Sequence, residues 1–386
     1  MFKAFVTLKM ICNNHSGNPS LSKGALLGVV VLAGLMQGCH SPLRCPVRTR
    51  LPEPCPPQVY LADVLFATDR SLTNKERAEF SGSRNLADGH MTYGSKCEDP
   101  AGSLAGCTSS KIFEKQDFFR QIHDRQKDVL LFVPGYKYSF DETLQLGLRI
   151  VERSEFDSTV VAYAWPSRNR LLAYGADYDT NEWSVEHLAD FLVDIVNALP
   201  EGKVLHIAAH SIGNRMVLQA LLRLRLSREK LGELIMIAPD VDAQTFVEQV
   251  PKCGAFRRKT VYISPRDQAL KASDFWFHSN TPRAGEEYVV LNGLETIDAS
   301  RLHTGITGHA YFENSQLMLD DLGAVLKGVP VEKRQLDKCS VKALESKSTP
   351  SAPSIVYCLP NDQTFSWQGL LRGHRQNRTK TRCEVR

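Results

Sequence analysis

None of the ten cysteines stands two to four residues from another, and none sits beside a suitable pair of histidines, so the usual zinc-binding spacings are missing. Internal repeats, a phosphate-cradling glycine loop and a dinucleotide fingerprint are missing too, so no metal and no cofactor is expected. Charge of one sign is scarce: the formal net charge is +4 over 386 residues, and much of it lies in the tail Arg372–Arg382. The body is therefore close to neutral, and nucleic acid is not an expected partner. The apolar run Gly24–Leu35 is too short to span a bilayer comfortably.

What the chain does have is an ordinary globular share of hydrophobic residues, 42%, and enough length for one sizeable domain with extensions. Its most telling stretch is Lys203–Val217, where strand-type residues around Leu205 and Ile207 run into Ala209-His210-Ser211-Ile212-Gly213. Met216, Val217, Ala220, Leu221 and Leu224 then recur at helical spacing. A strand-to-helix turn of this kind presents a serine nucleophile at its tip, and it leaves room only for small residues on either side. Ala209 stands where glycine is usual, and a methyl group is the next smallest choice. The alternative is an ordinary helix start with Ser211 as its N-cap.

Asp128–Tyr136 and Thr159–Pro166 carry apolar runs that read as buried parallel strands, with further short strands at Leu234–Pro239, Thr260–Ser264 and Leu294–Ile297. An amphipathic helix is expected over Val185–Leu199 and another over Ser315–Leu326. Alternating strands and helices imply an α/β fold, a mostly parallel sheet with helices on both faces, in which chemistry belongs at the carboxyl ends of the strands. There the backbone N–H of Tyr136 and that of Ile212 are candidate oxyanion donors. Asp240, Asp242 and Asp267 compete to orient a histidine, and each is equally placed to cap a following helix. His309 is the candidate base. His278, His303 and His187 are its rivals, with His187 expected to face solvent, while His210 fills the variable place beside the serine. Asp267 is preferred as the acid and Asp240 is the runner-up, because Ser211, Asp267, His309 is the chain order of α/β-hydrolases.

Taken together, Phe66-Ala-Thr-Asp-Arg70, Phe80-Ser-Gly82, Thr92-Tyr-Gly94, Phe132-Val-Pro-Gly-Tyr136, Ala209–Arg215, Ala238–Asp242, Asp267–Leu270, Ile297–Ser300 and Gly308–Phe312 make residues from Tyr60 to Leu326 resemble the α/β-hydrolase family known as DUF900. The resemblance implies an esterase-like serine hydrolase fold and no particular substrate. The family pattern has His-Gly-Tyr-Asn where this chain has Pro134-Gly-Tyr-Lys137.

The N-terminus carries a second message. Leu35-Met-Gln-Gly-Cys39 after the apolar run resembles the bacterial lipobox, so residues 1–38 are expected to be a signal peptide and Cys39 the lipid-modified first residue. Met10 is an alternative start. The expected address is the bacterial cell envelope, lipid-anchored at the outer membrane, with a secreted or periplasmic form as the alternative. Cys45, Cys55, Cys97, Cys107, Cys253, Cys339, Cys358 and Cys383 are an even set, as an oxidising compartment favours, with Cys97–Cys107 the expected local bridge. Residues 39–58 read as a Pro/Cys-rich tether, 59–330 as the hydrolase domain, and 331–386 as a Ser/Pro linker, centred on Val341–Ser354, with a basic Cys-containing tail, for which a small disulfide-held cap and a disordered segment over Ser354–Arg386 are both open. The expected function is a serine esterase or lipase acting on small acyl esters. The alternatives are a thioesterase, amidase or acyltransferase with the same residues, or a non-catalytic envelope module that keeps the fold for binding.

Overall fold

In the computed structural model the strands foreseen in the sequence lie side by side, and their residues alternate between two helical layers. Chain order is β1 (Ala62–Thr68), β2 (Arg70–Lys75), β3 (Ala78–Arg84), β4 (Thr92–Glu98), β5 (Lys111–Phe113), α1 (Lys115–Asp124), β6 (Val129–Val133), α2 (Phe140–Ser154), β7 (Thr159–Tyr163), α3 (Tyr174–Trp183) and α4 (Val185–Ala198). There follow β8 (Leu205–His210), α5 (Gly213–Arg223), β9 (Leu231–Ile237), α6 (Ala243–Gln249), β10 (Arg258–Ile263), α7 (Gln268–Phe277), β11 (Val289–Val290), β12 (Leu294–Asp298), α8 (Tyr311–Asn314), α9 (Gln316–Leu326), β13 (Asp337–Cys339), β14 (Leu344–Glu345) and β15 (Val356–Cys358). The structure describes residues 62–75, 78–87, 91–98, 110–170, 173–277, 281–302, 309, 311–339, 344–345 and 356–360. The signal segment, Cys39, the tether and the basic tail lie outside the described residues, as does Cys107 and with it the expected Cys97–Cys107 bridge. Among the described residues no helix is long and apolar enough to cross a membrane.

Eleven strands form one sheet in the order β13-β15-β12-β10-β9-β8-β6-β7-β1-β4-β5. From β12 to β1 every pairing is parallel. Antiparallel pairing is confined to the edges, at β1 with β4, β4 with β5, and β13 with β15. All residues of β6, β8 and β9 are buried, which is why these strands read as unbroken apolar runs rather than alternating ones. Within them a period of two still sorts the faces. Leu131, Val133, Ile207, Ala209, Met236 and Ile263 pack in one core with Phe118 of α1, Leu188 and Phe191 of α4, and Met216 of α5. Leu130, Phe132, Ala208, Ile235, Tyr262 and Ile297 pack in the other with Leu146 and Ile150 of α2 and Leu322 and Val325 of α9. Each fully buried Leu or Phe of this kind contributes about 1.5–3 kcal/mol. Local signals set the helix ends. Ser139 and Glu142 close a reciprocal capping box on α2, and the Ser315 hydroxyl accepts from Met318 N at the start of α9.

Three expectations are corrected. The stretch after residue 330 is not all linker, since β13 and β15 add two strands to the sheet and Cys339 is bridged to Cys358. Cys253 breaks the fully paired set: it is a free thiol, completely buried, and burial raises its pKa to about 12, so it behaves as a small apolar side chain. His187 does not simply face solvent, for its Nδ1 lies 3.0 Å from Asp69 Oδ2. That carboxylate also accepts from the Tyr163 hydroxyl at 3.0 Å.

Candidate active site

β8 ends at His210 and α5 begins at Gly213, so only Ser211 and Ile212 make the turn. Ser211 has φ +52°, a left-handed conformation that costs a non-glycine residue on the order of 1–3 kcal/mol unless its surroundings impose it. They do impose it. The Ser211 N–H donates to Ile237 O at 2.9 Å. The Ser211 carbonyl accepts from Asn214 Nδ2 at 3.0 Å and from Asp240 N at 3.2 Å. Asn214 also donates to Ile237 O at 3.1 Å, clamping the turn to β9. α5 has no side-chain cap, so the N-cap alternative for Ser211 is not the arrangement adopted.

The small residues around the serine answer to close backbone approach. A Cβ on Gly213 would lie 2.4 Å from Pro134 O and 2.8 Å from Val133 O, and one on Gly135 would lie 2.8 Å from the Ser211 Cβ. Gly213→Ala is therefore expected to separate the turn from the β6 loop, at a cost of about 1–3 kcal/mol in thermal unfolding. Reaction of Ser211 with an active-site phosphonate should fall by more than that loss of folded protein explains.

The structure brings His309 and Asp267 together: His309 Nδ1 is 2.6 Å from Asp267 Oδ2. Asp267 follows β10, is wholly buried, and divides its two oxygens. Oδ1 accepts from Ala269 N and Leu270 N, each at 3.0 Å, and so caps α7, while Oδ2 faces the imidazole. One side chain thus both caps α7 and meets the imidazole. Just beyond His309, the Tyr311 hydroxyl donates to Tyr262 O at 3.0 Å and ties α8 to β10. Burial alone would lower the His309 pKa, but the charge and hydrogen bond of Asp267, helped by Asp240 and Glu313, outweigh it and hold the pKa above the ordinary histidine value. No Ser211–His309 hydrogen bond is formed among the described residues. Their proximity follows from His210, whose ring centroid is 4.8 Å from that of His309. His210 is fully buried, and among the described residues neither of its ring nitrogens meets hydrogen-bond geometry. Burial, then His309, pushes its pKa well down and keeps it neutral.

The other carboxylates go elsewhere. Asp242 caps α6 by accepting from Thr245 N at 2.7 Å. Asp240 accepts from the Tyr174 hydroxyl at 2.6 Å, from Arg283 Nε at 2.8 Å and from Ser273 Oγ. It is hydrogen-bonded to no histidine among the described residues. His278 and His303 lie outside them.

Across from Ser211, the loop after β6 is welded to the loop after β7. Trp165 Nε1 donates to Pro134 O at 2.9 Å. Lys137 N donates to Ser167 Oγ at 2.7 Å, and that hydroxyl donates to Asp177 Oδ2 at 2.6 Å. Arg70, fully buried, reaches under both loops and donates to Ser167 O at 3.2 Å and to Tyr138 O at 2.8 Å. Burial lowers its pKa to about 10, with Asp69 and Asp177 opposing, and leaves it a cation at neutral pH. The Tyr136 ring packs edge-on against Tyr174 at 5.4 Å. Tyr136 is thereby held beside the turn, and Ile212 stands at the N-terminus of α5, where N–H groups lack intrahelical acceptors. Sequence reading passed over Arg70 as a tie, and also Ser167, Asp177, Tyr174 and Asn214. Arg70 and Asn214 stand inside motif blocks and Ser167 closely follows β7, whereas Tyr174 and Asp177 lie within α3 and carry no such signal. Among the described residues no group of three His, Cys, Asp or Glu side chains is arranged to hold a metal.

Residues 110–322 match the model of a family described as alpha/beta hydrolase of unknown function, DUF900. No curated protein matches the chain. Solved structures that overlap it include a hyperthermophilic esterase from the archaeon Pyrobaculum calidifontis, 11% identical over 62% of this chain and 80% of that one, TM-score 0.31. Carboxyl esterase 2 from the mycorrhizal fungus Tuber melanosporum is 9% identical over 70% and 89%, TM-score 0.32. A thermostable esterase from Pseudomonas putida is 13% identical over 65% and 82%, TM-score 0.30. Overlaps this shallow carry no information about substrate. With the family model covering more than half of the chain and the parallel sheet and serine turn in place, this protein belongs to the DUF900 family of α/β-hydrolases.

Proposed function

We propose that this protein is a serine hydrolase of esterase type that cleaves carboxylic esters through an acyl-enzyme. The observation that carries the reading is the 2.6 Å contact between His309 Nδ1 and the buried Asp267, set beside a serine held at φ +52°. In this scheme Ser211 Oγ attacks the ester carbonyl as its proton passes to the free ring nitrogen of His309. The N–H groups of Tyr136 and Ile212 receive the charge that develops on the carbonyl oxygen. The C–O bond then breaks, and His309 returns the proton to the leaving alcohol. In the second half His309 takes a proton from water, the resulting hydroxide displaces Ser211 from the acyl group, and His309 re-protonates the serine. The Ser211–His309 hydrogen bond forms once a substrate fills the site, as is common where the unliganded contact is open. A thioester or amide would engage the same groups. Lipid attachment at Cys39 is the companion proposal for where the enzyme works, and it rests on the lipobox alone.

Labelling with a fluorophosphonate tests the reading, because the reagent requires an activated serine and nothing about substrate. The wild-type protein is expected to label on Ser211, with labelling abolished in Ser211→Ala and in His309→Ala. A folded wild-type protein that stays unlabelled would mean that the fold serves binding rather than catalysis.

A further inference from the structure

Three cations stand on the loops on the oxyanion side of Ser211. Lys137, Arg168 and Arg170 are all exposed, and among the described residues none of their side chains makes an ion pair or a hydrogen bond. Their position is fixed by the backbone. Gly135 abuts the Ser211 Cβ and Lys137 is two residues on, so the Lys137 backbone lies within roughly 12 Å of the serine. Arg168 follows Ser167, the residue that holds Lys137 N, and its own N–H is held by Asp177 Oδ1 at 3.0 Å. Arg170 lies between that anchor and Tyr174, which packs on Tyr136, so both ends of the segment carrying the two arginines are pinned to the oxyanion loop.

The surrounding charges do not cancel this patch. Asp177 is wholly buried and accepts from the Ser167 hydroxyl and Arg168 N; the Arg168 and the buried Arg70 charges both act on it, so one carboxylate is shared between two cations and Lys137 and Arg170 are left uncompensated by it. Glu142 caps α2 through Ser139 N at 2.8 Å and touches Asn169 Nδ2 at 3.5 Å. Glu313 is taken by the Tyr138 hydroxyl. Lys137 also occupies a left-handed backbone, φ +71°, which glycine and asparagine accept more readily than lysine. A long cation kept at a strained position beside a reactive serine points to a use for its charge.

We propose that the site selects acyl substrates carrying an anionic group, a carboxylate or a phosphate, distal to the bond that is cut, and that Lys137, Arg168 and Arg170 receive it. This rests on the serine hydrolase reading and adds the substrate class. The test compares p-nitrophenyl pentanoate with the mono-p-nitrophenyl ester of glutaric acid, which has the same chain length and ends in a carboxylate. A second pair ends in a phosphate or a neutral hydroxyl. Selectivity is read as the anionic-to-neutral ratio of kcat/KM for the full chain, and separately as the ratio of dissociation constants of the uncleaved esters for Ser211→Ala.

Both ratios are expected to favour the anionic ester about tenfold at low salt, as charge complementarity of three exposed cations supports. They should shrink toward one at about 0.5 M salt, where screening is short-ranged, and in the Lys137→Gln, Arg168→Gln, Arg170→Gln triple variant. A carboxylate-only or phosphate-only preference identifies which anion the site takes. Turnover of both esters with ratios near one, unmoved by salt or by the triple variant, overturns the proposal. A binding preference without turnover supports the basic mouth and sinks the hydrolase reading instead, so the two failures are distinct.

Discussion

Asp267→Asn is expected to lower turnover by about 10⁴ while leaving thermal unfolding nearly unchanged. The reason is the division of labour between its oxygens. Oδ1 caps α7 through Ala269 N and Leu270 N, and asparagine caps almost as well as aspartate. An amide oriented for that cap turns its NH₂ toward His309 Nδ1, where the native carboxylate Oδ2 accepts at 2.6 Å. The ring nitrogen facing the amide must then be an acceptor, which puts the proton on the nitrogen that should take it from Ser211. A pH profile gives an independent readout. Only neutral His309 can act as base, so the rate falls as pH drops through its pKa. Once burial's lowering effect is outweighed, chiefly by Asp267, that pKa sits above the ordinary histidine value. The acid limb of kcat/KM is therefore expected at higher pH than for an ordinary histidine in the wild-type protein, and at lower pH in whatever activity Asp267→Asn retains. If Asp267→Asn keeps near-normal rates, the orienting role of Asp267 is wrong.

Asp240→Asn is expected to give the opposite pattern, a large loss of stability. Asp240 and Arg283 form an ion pair at 2.8 Å with side chains only 2% and 4% exposed, so the arginine has no water to fall back on. Removing one charge of a buried pair costs about 3–5 kcal/mol, or on the order of 5–10 °C in Tm for a domain of this size. The Tyr174 hydroxyl loses its charged acceptor at the same time. Some activity is expected to go too, because Tyr174 supports Tyr136 and Asp240 N holds the Ser211 carbonyl. Yet the pH limb set by His309 should shift little beside the change in Asp267→Asn. Differential scanning calorimetry and the two pH profiles separate a positioning role from an orienting one. A stable but inactive Asp240→Asn would reverse the two assignments.

The sequence by itself determined the parallel strands, the helices that cover them and the serine turn, because each leaves a local trace. Buried strands read as apolar runs at β6, β8 and β9, an amphipathic helix shows its period at Val185–Ala198, and a tight turn admits only small residues at Ala209 and Gly213. The family likeness was legible for the same reason. Only the tertiary structure decided which carboxylate meets His309. Asp240, Asp242 and Asp267 follow neighbouring strands and look alike in sequence, but one pairs with Arg283, one caps α6, and one reaches an imidazole 42 residues away. It also decided that Arg70 ties two loops, the farther one 97 residues on, that the chain beyond residue 330 returns to the sheet, and that Cys253 stays unpaired. Periodicity and residue size report burial and local backbone geometry, whereas hydrogen bonds between side chains depend on distances set by crossovers in the sheet, and those leave no pattern along the chain.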